Sequence, residues 1–401
     1  MSTVSPHVRP LDGLTVVSLE HAIAAPFCTR QLADIGARVI KIERPGVGDF
    51  ARAYDTRAEG LASHFVWTNR SKESLTLDLK KDGADEVLYE LLESADVLVQ
   101  NLAPGAADRM GLSFEQLNAR FPRLIVCNIS GYGKGGSYEK KKAYDLLIQS
   151  EGGFLSVTGG AGDDELAKAG CSIADIAAGM YAYTNVLSAL LLREKTGVGS
   201  NIDVSMLESL VEWMGYPLYY AYKGAPQPPR AGASHSTIYP YGPFPVGGGQ
   251  TVMLGLQNER EWVQFCEHVL RQAALAVDER FLANARRSEN RDALRAIIVE
   301  TFSVLTIDEV VARLEIAQIA NAKVNDMKGV WEHPQLKARE RWVQVGSPAG
   351  ELPALLPPGS NSAFKPRMDA IPALGEHTDS ILRSLGRTEP QIEALHATGA
   401  V

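Results

Sequence analysis

Three consecutive segments near the amino terminus decide the fold class. Leu14-Thr-Val-Val-Ser-Leu-Glu20 is apolar and favours a buried strand. Ala25-Pro-Phe-Cys-Thr-Arg-Gln-Leu-Ala-Asp-Ile35 predicts a helix with Pro26 in its first turn. Gly36 ends that helix, and Arg38-Val-Ile-Lys-Ile-Glu43 predicts the next strand. A strand, a helix and a strand in this order form a βαβ unit, whose two strands are parallel.

The alternation continues through the first half of the chain. Further helices are predicted over 83–94, 173–194 and 207–222, and strands over 95–100, 124–129 and 202–206. This order predicts an α/β fold with a Rossmann-like parallel sheet. A G-x-G-x-x-G match at Gly131-Tyr-Gly-Lys-Gly-Gly136 follows a strand, but the next residues do not open the helix that a dinucleotide site needs. A nicotinamide site is therefore disfavoured.

Composition limits the function classes. The chain has 401 residues and a formal net charge of −8, which argues against a general nucleic-acid binder. No apolar signal segment opens it and its four cysteines are scattered, so a cytoplasmic protein is expected. The apolar stretch 173–192 favours a buried helix over a membrane span, because it contains Asp175 and lacks a basic flank. Residues 223–230 predict a linker, followed by antiparallel strands and by helices over 259–273 and 288–318.

Asp175 is the most informative single residue. It lies between Ile173 and Ile176, with small residues after it. A buried carboxylate is costly unless it is paired or hydrogen-bonded. Two interpretations stay open, a catalytic carboxylate and the N-cap of the long helix.

Charged and metal-binding patterns say less. The eight histidines show no metal-ligand spacing, so no metal site is expected. Arg44, Lys72 and Arg109 each follow a predicted strand or lie in a nearby loop. Ligands of parallel α/β sheets bind at that edge. These cations would form an anion site if they share the edge, and are ordinary surface charge otherwise.

Six ordered blocks together resemble the family III coenzyme A transferases, which include formyl-CoA transferase and have α-methylacyl-CoA racemases as relatives. The blocks are Gly36-Ala-Arg-Val-Ile-Lys-Ile-Glu-Arg-Pro-Gly46, Asn69-Arg-Ser-Lys-Glu-Ser-Leu-Thr-Leu-Asp78, Gln100-Asn-Leu-Ala-Pro-Gly-Ala-Ala-Asp-Arg-Met-Gly111, Ala174-Asp-Ile-Ala-Ala-Gly-Met180, Arg193-Glu-Lys-Thr-Gly-Val-Gly199 and Gly375-Glu-His-Thr378. The resemblance implies a discontinuous large domain (1–222 and 331–401), a smaller α+β domain (231–330) and an interlocked homodimer.

The resemblance also implies a mechanism. Asp175 would attack the donor thioester and form a mixed anhydride, which the released CoA thiolate would convert into an aspartyl-CoA thioester. The implied substrates are an acyl-CoA thioester and a carboxylic acid, with no permanently bound cofactor and no nucleic-acid or membrane partner. The segment that matches the family's mobile glycine-rich loop, Arg230-Ala-Gly-Ala-Ser-His235, has fewer glycines, and Gly247-Gly-Gly249 is predicted to be a hairpin turn.

The implied contacts carry over by position. CoA-binding positions are His21, Ala22, Ala24, Arg44, Lys72, Asn101, Leu102, Arg109, Met110 and Lys142. Substrate-pocket positions are Ile23, Tyr144, Gly232, His235 and Tyr239. Formyl-CoA transferase has a glutamine where this chain has Ile23, so a less polar acyl pocket is expected here.

Two features separate the possible reactions. Racemases of this kind use a histidine in a Gly-His-Asp block, whereas this chain has Ala143-Tyr-Asp145, and a phenol is a weak base near neutral pH. Transferase is therefore favoured over racemase. The segment 231–242 looks like members that act on C4 to C6 dicarboxylates. This predicts transfer from succinyl-CoA to itaconate, mesaconate or citramalate, with intramolecular transfer within mesaconyl-CoA as the alternative. Cations and donors proposed for the second carboxylate are Arg52, Arg70, Arg230, His235 and Tyr239.

Overall fold

The chain divides into two compact units in the computed structural model, which describes residues 8–162 and 164–401. The first unit contains the described residues up to Gly153, together with Ala169–Met214 and Leu336–Val401. The second contains Phe154–Lys168 and Gly215–Gln335. Residues 154–168 pack with the second unit, although the sequence had suggested the large domain for them. The functional domain boundaries stay a prediction.

A six-stranded parallel sheet forms the centre of the first unit, as the alternating pattern predicted. Its strands are β1 (Thr15–Leu19), β2 (Arg38–Glu43), β3 (Lys72–Thr76), β4 (Val97–Gln100), β5 (Ile125–Ser130) and β6 (Asn201–Ser205). Their order across the sheet is β3-β2-β1-β4-β5-β6. The order reverses between β1 and β4, so the carboxyl ends of these two strands frame the crevice in which such folds bind ligands.

Helices follow the strands in sequence. The first ten are α1 (Ala24–Asp34), α2 (Ser63–Thr68), α3 (Ala84–Ser94), α4 (Ala106–Arg109), α5 (Phe114–Arg120), α6 (Asp145–Glu151), α7 (Phe154–Val157), α8 (Ile173–Thr196), α9 (Met206–Trp213) and α10 (Gly215–Tyr220). The apolar stripe of α3, formed by Val87, Leu88, Leu91 and Leu92, is buried against the sheet as its spacing requires. On the described residues, no helix has the length and apolarity needed to cross a membrane.

The carboxyl-terminal segment covers the exposed edge of the sheet. The edge strand β3 donates from Ser74 N to His377 Nδ1 (3.2 Å) and from Thr76 N to Thr378 Oγ1 (3.0 Å). An uncovered edge strand would offer these groups to another chain. The block 375–378 therefore has a physical role in closing the fold.

The second unit is built on an antiparallel sheet. Its strands β7 (Tyr241–Pro245) and β8 (Thr251–Gly255) are joined across Gly247–Gly249, which confirms the predicted hairpin, and β9 (Ala320–Lys323) pairs with β8.

The remaining α-helices and β-strands of the two units are α11 (Glu259–Gln264), α12 (Asn284–Glu289), α13 (Arg291–Ser303), α14 (Ile307–Ile316), α15 (Met327–Trp331), α16 (Pro334–Ala338), β10 (Trp342–Val345), β11 (Leu352–Leu355), α17 (Thr378–Ser384) and α18 (Glu389–Thr398).

The prediction of a single helix over 288–318 is wrong. The chain forms α13 and α14 instead, with a break after Ser303. Thr306 starts α14 with a capping box: its side chain accepts from Glu309 N, and the Glu309 side chain accepts from Thr306 N. The capping box starts a new helix at Thr306, so the chain does not continue as one helix.

Candidate active site

The turn after β1 is held by a side chain from the end of β4. His21 donates from its backbone N to Asn101 Oδ1 (2.9 Å), and Asn101 Nδ2 donates back to His21 O (2.9 Å). Asn101 directly follows β4, so this amide links the ends of the two strands that frame the crevice. The structure therefore brings the predicted residues His21, Ala22 and Asn101 together at the sheet edge.

Asp175 is the third residue of α8 and does not cap it. The N-cap is Ser172, whose side chain makes no capping hydrogen bond. The cap comes from Asp145 in α6 instead, whose Oδ1 accepts from Ala174 N (2.8 Å) and from Asp175 N (3.4 Å). The N-cap interpretation of Asp175 is therefore wrong, and its carboxylate is left for another role.

The surroundings of Asp175 disfavour its ionised form. Burial, followed by the nearby charge of Asp145, raises the pKa of Asp175 to about 7. A carboxylate with little hydration is a stronger nucleophile than one in water, because less solvent has to be removed before it attacks. Perturbed carboxylates of this kind are typical of catalytic sites.

A glycine allows α8 to approach α1 closely. A β-carbon on Gly179 would lie 2.7 Å from Ala24 O and 3.0 Å from Phe27 Cδ1. Gly179 is one helical turn after Asp175, so the two share a face of α8. The missing side chain therefore sets the distance between the Asp175 end of α8 and the start of α1.

The Gly179→Ala variant should be destabilised. The new methyl group must push against backbone, so we expect the free energy of unfolding in urea to fall by about 1–3 kcal/mol. Gly215→Ala is the matched control, because a β-carbon there meets no atom within 4 Å in the part of the chain that the structure describes. Equal stability of the two variants would contradict the close approach.

Aromatic rings form a row beside this turn. His21 stacks on Phe50 with ring centroids 5.1 Å apart, and Phe50 contacts Tyr54 at 6.0 Å. Burial lowers the pKa of His21, which keeps its imidazole neutral near pH 7. Burial, and then the charges of Asp49 and Asp175, raise the pKa of Tyr54. Tyr54 thus lies within electrostatic range of both carboxylates, and the row gives the site an apolar wall.

Exposed cations lie in the segments that follow strands β2, β4 and β5. Arg44 follows β2, Arg109 ends α4, and both side chains are exposed, as is Lys142 before α6. Leu102 and Met110 are half-buried, and Leu102 lines a cavity of about 100 Å³. These positions suit a large anionic ligand with an apolar part, and their contacts with it stay a prediction.

Lys72 is enclosed by partners inside the protein. It is the first residue of β3, and its side chain is fully buried. Its Nζ donates to Glu20 Oε1 (2.7 Å), Pro26 O (3.0 Å) and Asn69 Oδ1 (3.0 Å). An ammonium has three N–H donors, so all of them are used inside the protein. We therefore expect Lys72 to support the fold rather than to contact a phosphate, and its predicted role in CoA binding stays a prediction.

Two arginines that were predicted to bind the second carboxylate of the substrate already bind carboxylates of the protein. Arg52 binds Glu43 through Nε (2.9 Å) and Nη2 (2.7 Å). Arg70 binds Asp34 through Nε (2.9 Å) and Nη2 (2.8 Å). Both guanidinium groups already hold a carboxylate in two-pronged geometry, so neither is free for a substrate.

The predicted pocket residues in the first unit differ in exposure. Ile23 is only 4 % exposed and precedes α1, next to the buried Ala24. Tyr144 is 69 % exposed and lies beside Asp145, at the start of α6. Tyr144 is therefore accessible to a ligand, whereas Ile23 acts through packing of the turn.

The remaining predicted pocket residues belong to the second unit. Gly232 N donates to Gly159 O (2.8 Å), and Arg230 donates to Gly160 O (2.9 Å), so both support this segment. His235 Nδ1 accepts from Ile238 N (3.0 Å), so this ring nitrogen acts as an acceptor. Tyr239 is 2 % exposed within the apolar core. The ring is enclosed by the core in this structure, and its place in the substrate pocket stays a prediction.

Sequence reasoning missed the residues that hold the backbone around the site. Asp145 accepts from Asp175 N, 30 positions away, and Asp49 accepts from Ala22 N, 27 positions away. Of the two, only Asp145 lies in a block with a sequence signal, Ala143-Tyr-Asp145, which favours a transferase over a racemase.

Comparison with known proteins gives the family. The family model described as "CoA-transferase family III" matches residues 11–378. The chain is 30 % identical to the human succinyl-CoA:glutarate CoA-transferase, over 98 % of this chain and 90 % of that protein. It is 33 % identical to the acetyl-CoA:oxalate CoA-transferase of Acetobacter aceti, over 84 % of this chain and 86 % of that protein. A CAIB/BAIF family protein from Brucella suis superimposes with a TM-score of 0.85 at 33 % identity, covering 95 % of this chain and 100 % of that one.

The fold and the site thus define a CoA-transferring enzyme with a parallel α/β sheet. The chain belongs to CoA-transferase family III, as the sequence blocks indicated. The interlocked homodimer stays a prediction.

Proposed function

We propose that this enzyme moves coenzyme A from succinyl-CoA to a C5 dicarboxylate, with Asp175 as the covalent nucleophile. The observation that carries the proposal is the Asp175 carboxylate, which burial and Asp145 hold at a pKa of about 7 and which caps no helix. The dicarboxylate substrates are supported by the human relative, which is named for succinate and glutarate.

Each chemical step exchanges one acyl bond. An Asp175 oxygen attacks the thioester carbonyl and the C–S bond breaks. The CoA thiolate departs, and a mixed anhydride between Asp175 and the donor acid remains. The thiolate then attacks the Asp175 carbonyl carbon, the C–O bond to the donor acid breaks, and an aspartyl-CoA thioester remains. The acceptor carboxylate repeats both steps in reverse and restores Asp175. No net proton is transferred, so no general base is required.

Negative charge develops on the carbonyl oxygen in every step and requires N–H donors. The first N–H groups of a helix have no acceptor within it. Helix α1 starts at Ala24, close to α8 at Gly179. Pro26 has no N–H and Phe27 N donates to Ile23 O (2.7 Å), so we assign the stabilisation of the oxyanion to the N–H groups of Ala24 and Ala25.

The acceptor is identified by a donor–acceptor panel. Succinyl-CoA, acetyl-CoA and formyl-CoA are each combined with glutarate, itaconate, mesaconate, citramalate, oxalate and acetate, and CoA transfer is followed by chromatography. We expect the fastest transfer from succinyl-CoA to a C5 acid. Transfer confined to oxalate or acetate would refute the substrate class, and loss of mesaconyl-CoA isomers without a free acceptor would favour intramolecular transfer.

The activity should rise with pH through about 7. The nucleophile is the ionised form of Asp175, so kcat/KM should increase as that pKa of about 7 is passed and level off above it. Asp145→Asn removes a negative neighbour but keeps an oxygen for Ala174 N, so ionisation of Asp175 becomes easier. We therefore expect the rising limb to move to lower pH. An unmoved limb would exclude Asp145 as a cause of the raised pKa.

A further inference from the structure

The turn beside the site contains a strained residue. Ala22 has φ 61°, in the left-handed region that residues with a β-carbon rarely adopt. Such a conformation is strained and persists only where the surroundings enforce it. Ala22 lies directly after His21, whose backbone Asn101 already holds on both sides. The strain is therefore located in the turn that leads from β1 into α1.

The side chain of Asp49 supplies the enforcing contact. Its Oδ1 accepts from Ala22 N (3.1 Å) and from Ala51 N (2.9 Å). The second bond is an ordinary cap of the short turn Phe50–Ala53. The first bond crosses to a different part of the chain and has no role in that cap. Asp49 is fully buried, so bulk water does not compete for its carboxylate.

A buried lysine fixes Asp49 in turn. Lys41 Nζ donates to Asp49 Oδ2 (2.8 Å), and both side chains have no exposed surface. Lys41 lies within β2, a strand of the central sheet. Removal of either partner would leave an unpaired buried charge, which costs stability. The ion pair with Lys41 therefore restricts the movement of the Asp49 carboxylate. The conformation of Ala22 is thus determined by β2 through two side chains.

We propose that Asp49, held by Lys41, is a positioning residue that keeps the turn 21–24 in its catalytic shape beside Asp175. The inference rests on the proposed function, because it gives the turn the task of presenting His21 and the first amides of α1 to the thioester. One close approach places the turn there: Ala24, its last residue, meets Gly179 on the face of α8 that also carries Asp175.

The test compares Asp49→Ala, Asp49→Asn and a control. Asp49→Ala removes the acceptor for Ala22 N, and Asp49→Asn keeps one. Asp96→Ala is the matched control, because Asp96 also accepts a backbone amide of β1, from Thr15 (2.8 Å), and also binds a buried cation, Arg193, but at the opposite end of the strand. Each full-length protein is assayed for kcat and for KM of the acyl-CoA, and for amide hydrogen exchange in a peptide that spans the turn.

A positioning role predicts a specific pattern. In Asp49→Ala, kcat should fall about 10- to 100-fold, as expected for a small displacement of a site, with KM changed less than about twofold. The peptide that spans the turn should exchange faster, and Asp49→Asn should restore most of both properties. Asp96→Ala should lose stability and keep its kcat.

Three results would overturn the inference. Unchanged exchange in Asp49→Ala would show that Asp49 does not hold the turn, and an equal loss of kcat in Asp96→Ala would show a purely structural effect. A wild-type protein that forms no adduct on Asp175 with succinyl-CoA overturns the proposed function itself. A normal adduct with normal kcat in Asp49→Ala overturns only the positioning role.

Discussion

Asp175→Asn is expected to reduce CoA transfer by at least about 10³-fold while leaving the fold intact, since loss of a covalent nucleophile removes every step that depends on it. The amide has the size of the carboxylate but cannot form an anhydride with the donor acid. KM for the acyl-CoA should change little, because the exposed cations after β2, β4 and β5 remain in place. The measurement is initial rate against both substrates.

Mass spectrometry separates a chemical loss from a binding loss. Wild-type protein incubated with succinyl-CoA should carry a CoA adduct on the peptide that contains Asp175, and Asp175→Asn should carry none. Asp85→Asn is the matched control: Asp85 also lies in the first turn of a helix, α3, but is exposed. Full activity in Asp175→Asn would contradict the proposed mechanism.

The same substitution should stabilise the protein at high pH. The pKa of Asp175 is about 7 in the folded state and near 3.9 in an unfolded chain, so the folded state binds this proton more tightly. The stability that protonated Asp175 contributes is complete below about pH 4 and is lost as pH rises through about 7. Asp175→Asn stays neutral and should therefore melt at a higher temperature than wild type at pH 8, with the difference vanishing near pH 4. A half-buried charge kept at the expense of stability is typical of a functional site.

The fold was predictable where local patterns agree with the tertiary structure. β1, α1 and β2 carry apolar runs with a glycine stop between them, and the structure places them within one residue or two of the prediction. β3 was missed because Lys72-Glu-Ser-Leu-Thr76 has few apolar residues. Its lysine and serine are buried through ion pairs and hydrogen bonds, which no hydropathy pattern reveals.

Asp175 could be singled out from the sequence as a candidate nucleophile, whereas the residues that hold the segments around it could not. Asp175 stood out as a carboxylate in an apolar helix. Asp145 and Asp49 act through backbone amides 29 and 27 positions away, and such pairings arise only when the sheet brings the segments together. Lys72 and Arg44 looked alike in sequence, yet one is enclosed and the other exposed.

Lys72→Met should therefore destabilise the fold and leave CoA binding nearly unchanged. Burial alone would raise the pKa of Glu20, but Lys72 and Lys41 outweigh it and keep this carboxylate ionised. Removal of Lys72 leaves Glu20 with Lys41 at 3.4 Å and the Thr29 hydroxyl at 2.6 Å. Breaking a buried ion pair costs about 3–5 kcal/mol, and we expect the lower end because these two partners remain.

Arg44→Met is the matched comparison, because Arg44 is exposed after β2 and loses no buried partner. We expect it to raise KM for the acyl-CoA about tenfold, as for loss of a charged hydrogen bond to phosphate, with an unchanged urea midpoint. Lys72→Met should show the opposite pattern, with a lower urea midpoint. Wherever this variant is fully folded, its KM for the acyl-CoA should stay within about twofold of wild type, because the N–H donors of Lys72 are used inside the protein. A raised KM and normal stability in Lys72→Met would support the contact between Lys72 and a phosphate that the sequence suggested. In that case the hydrogen bonds of Lys72 to Glu20, Pro26 and Asn69 would have to open when CoA binds.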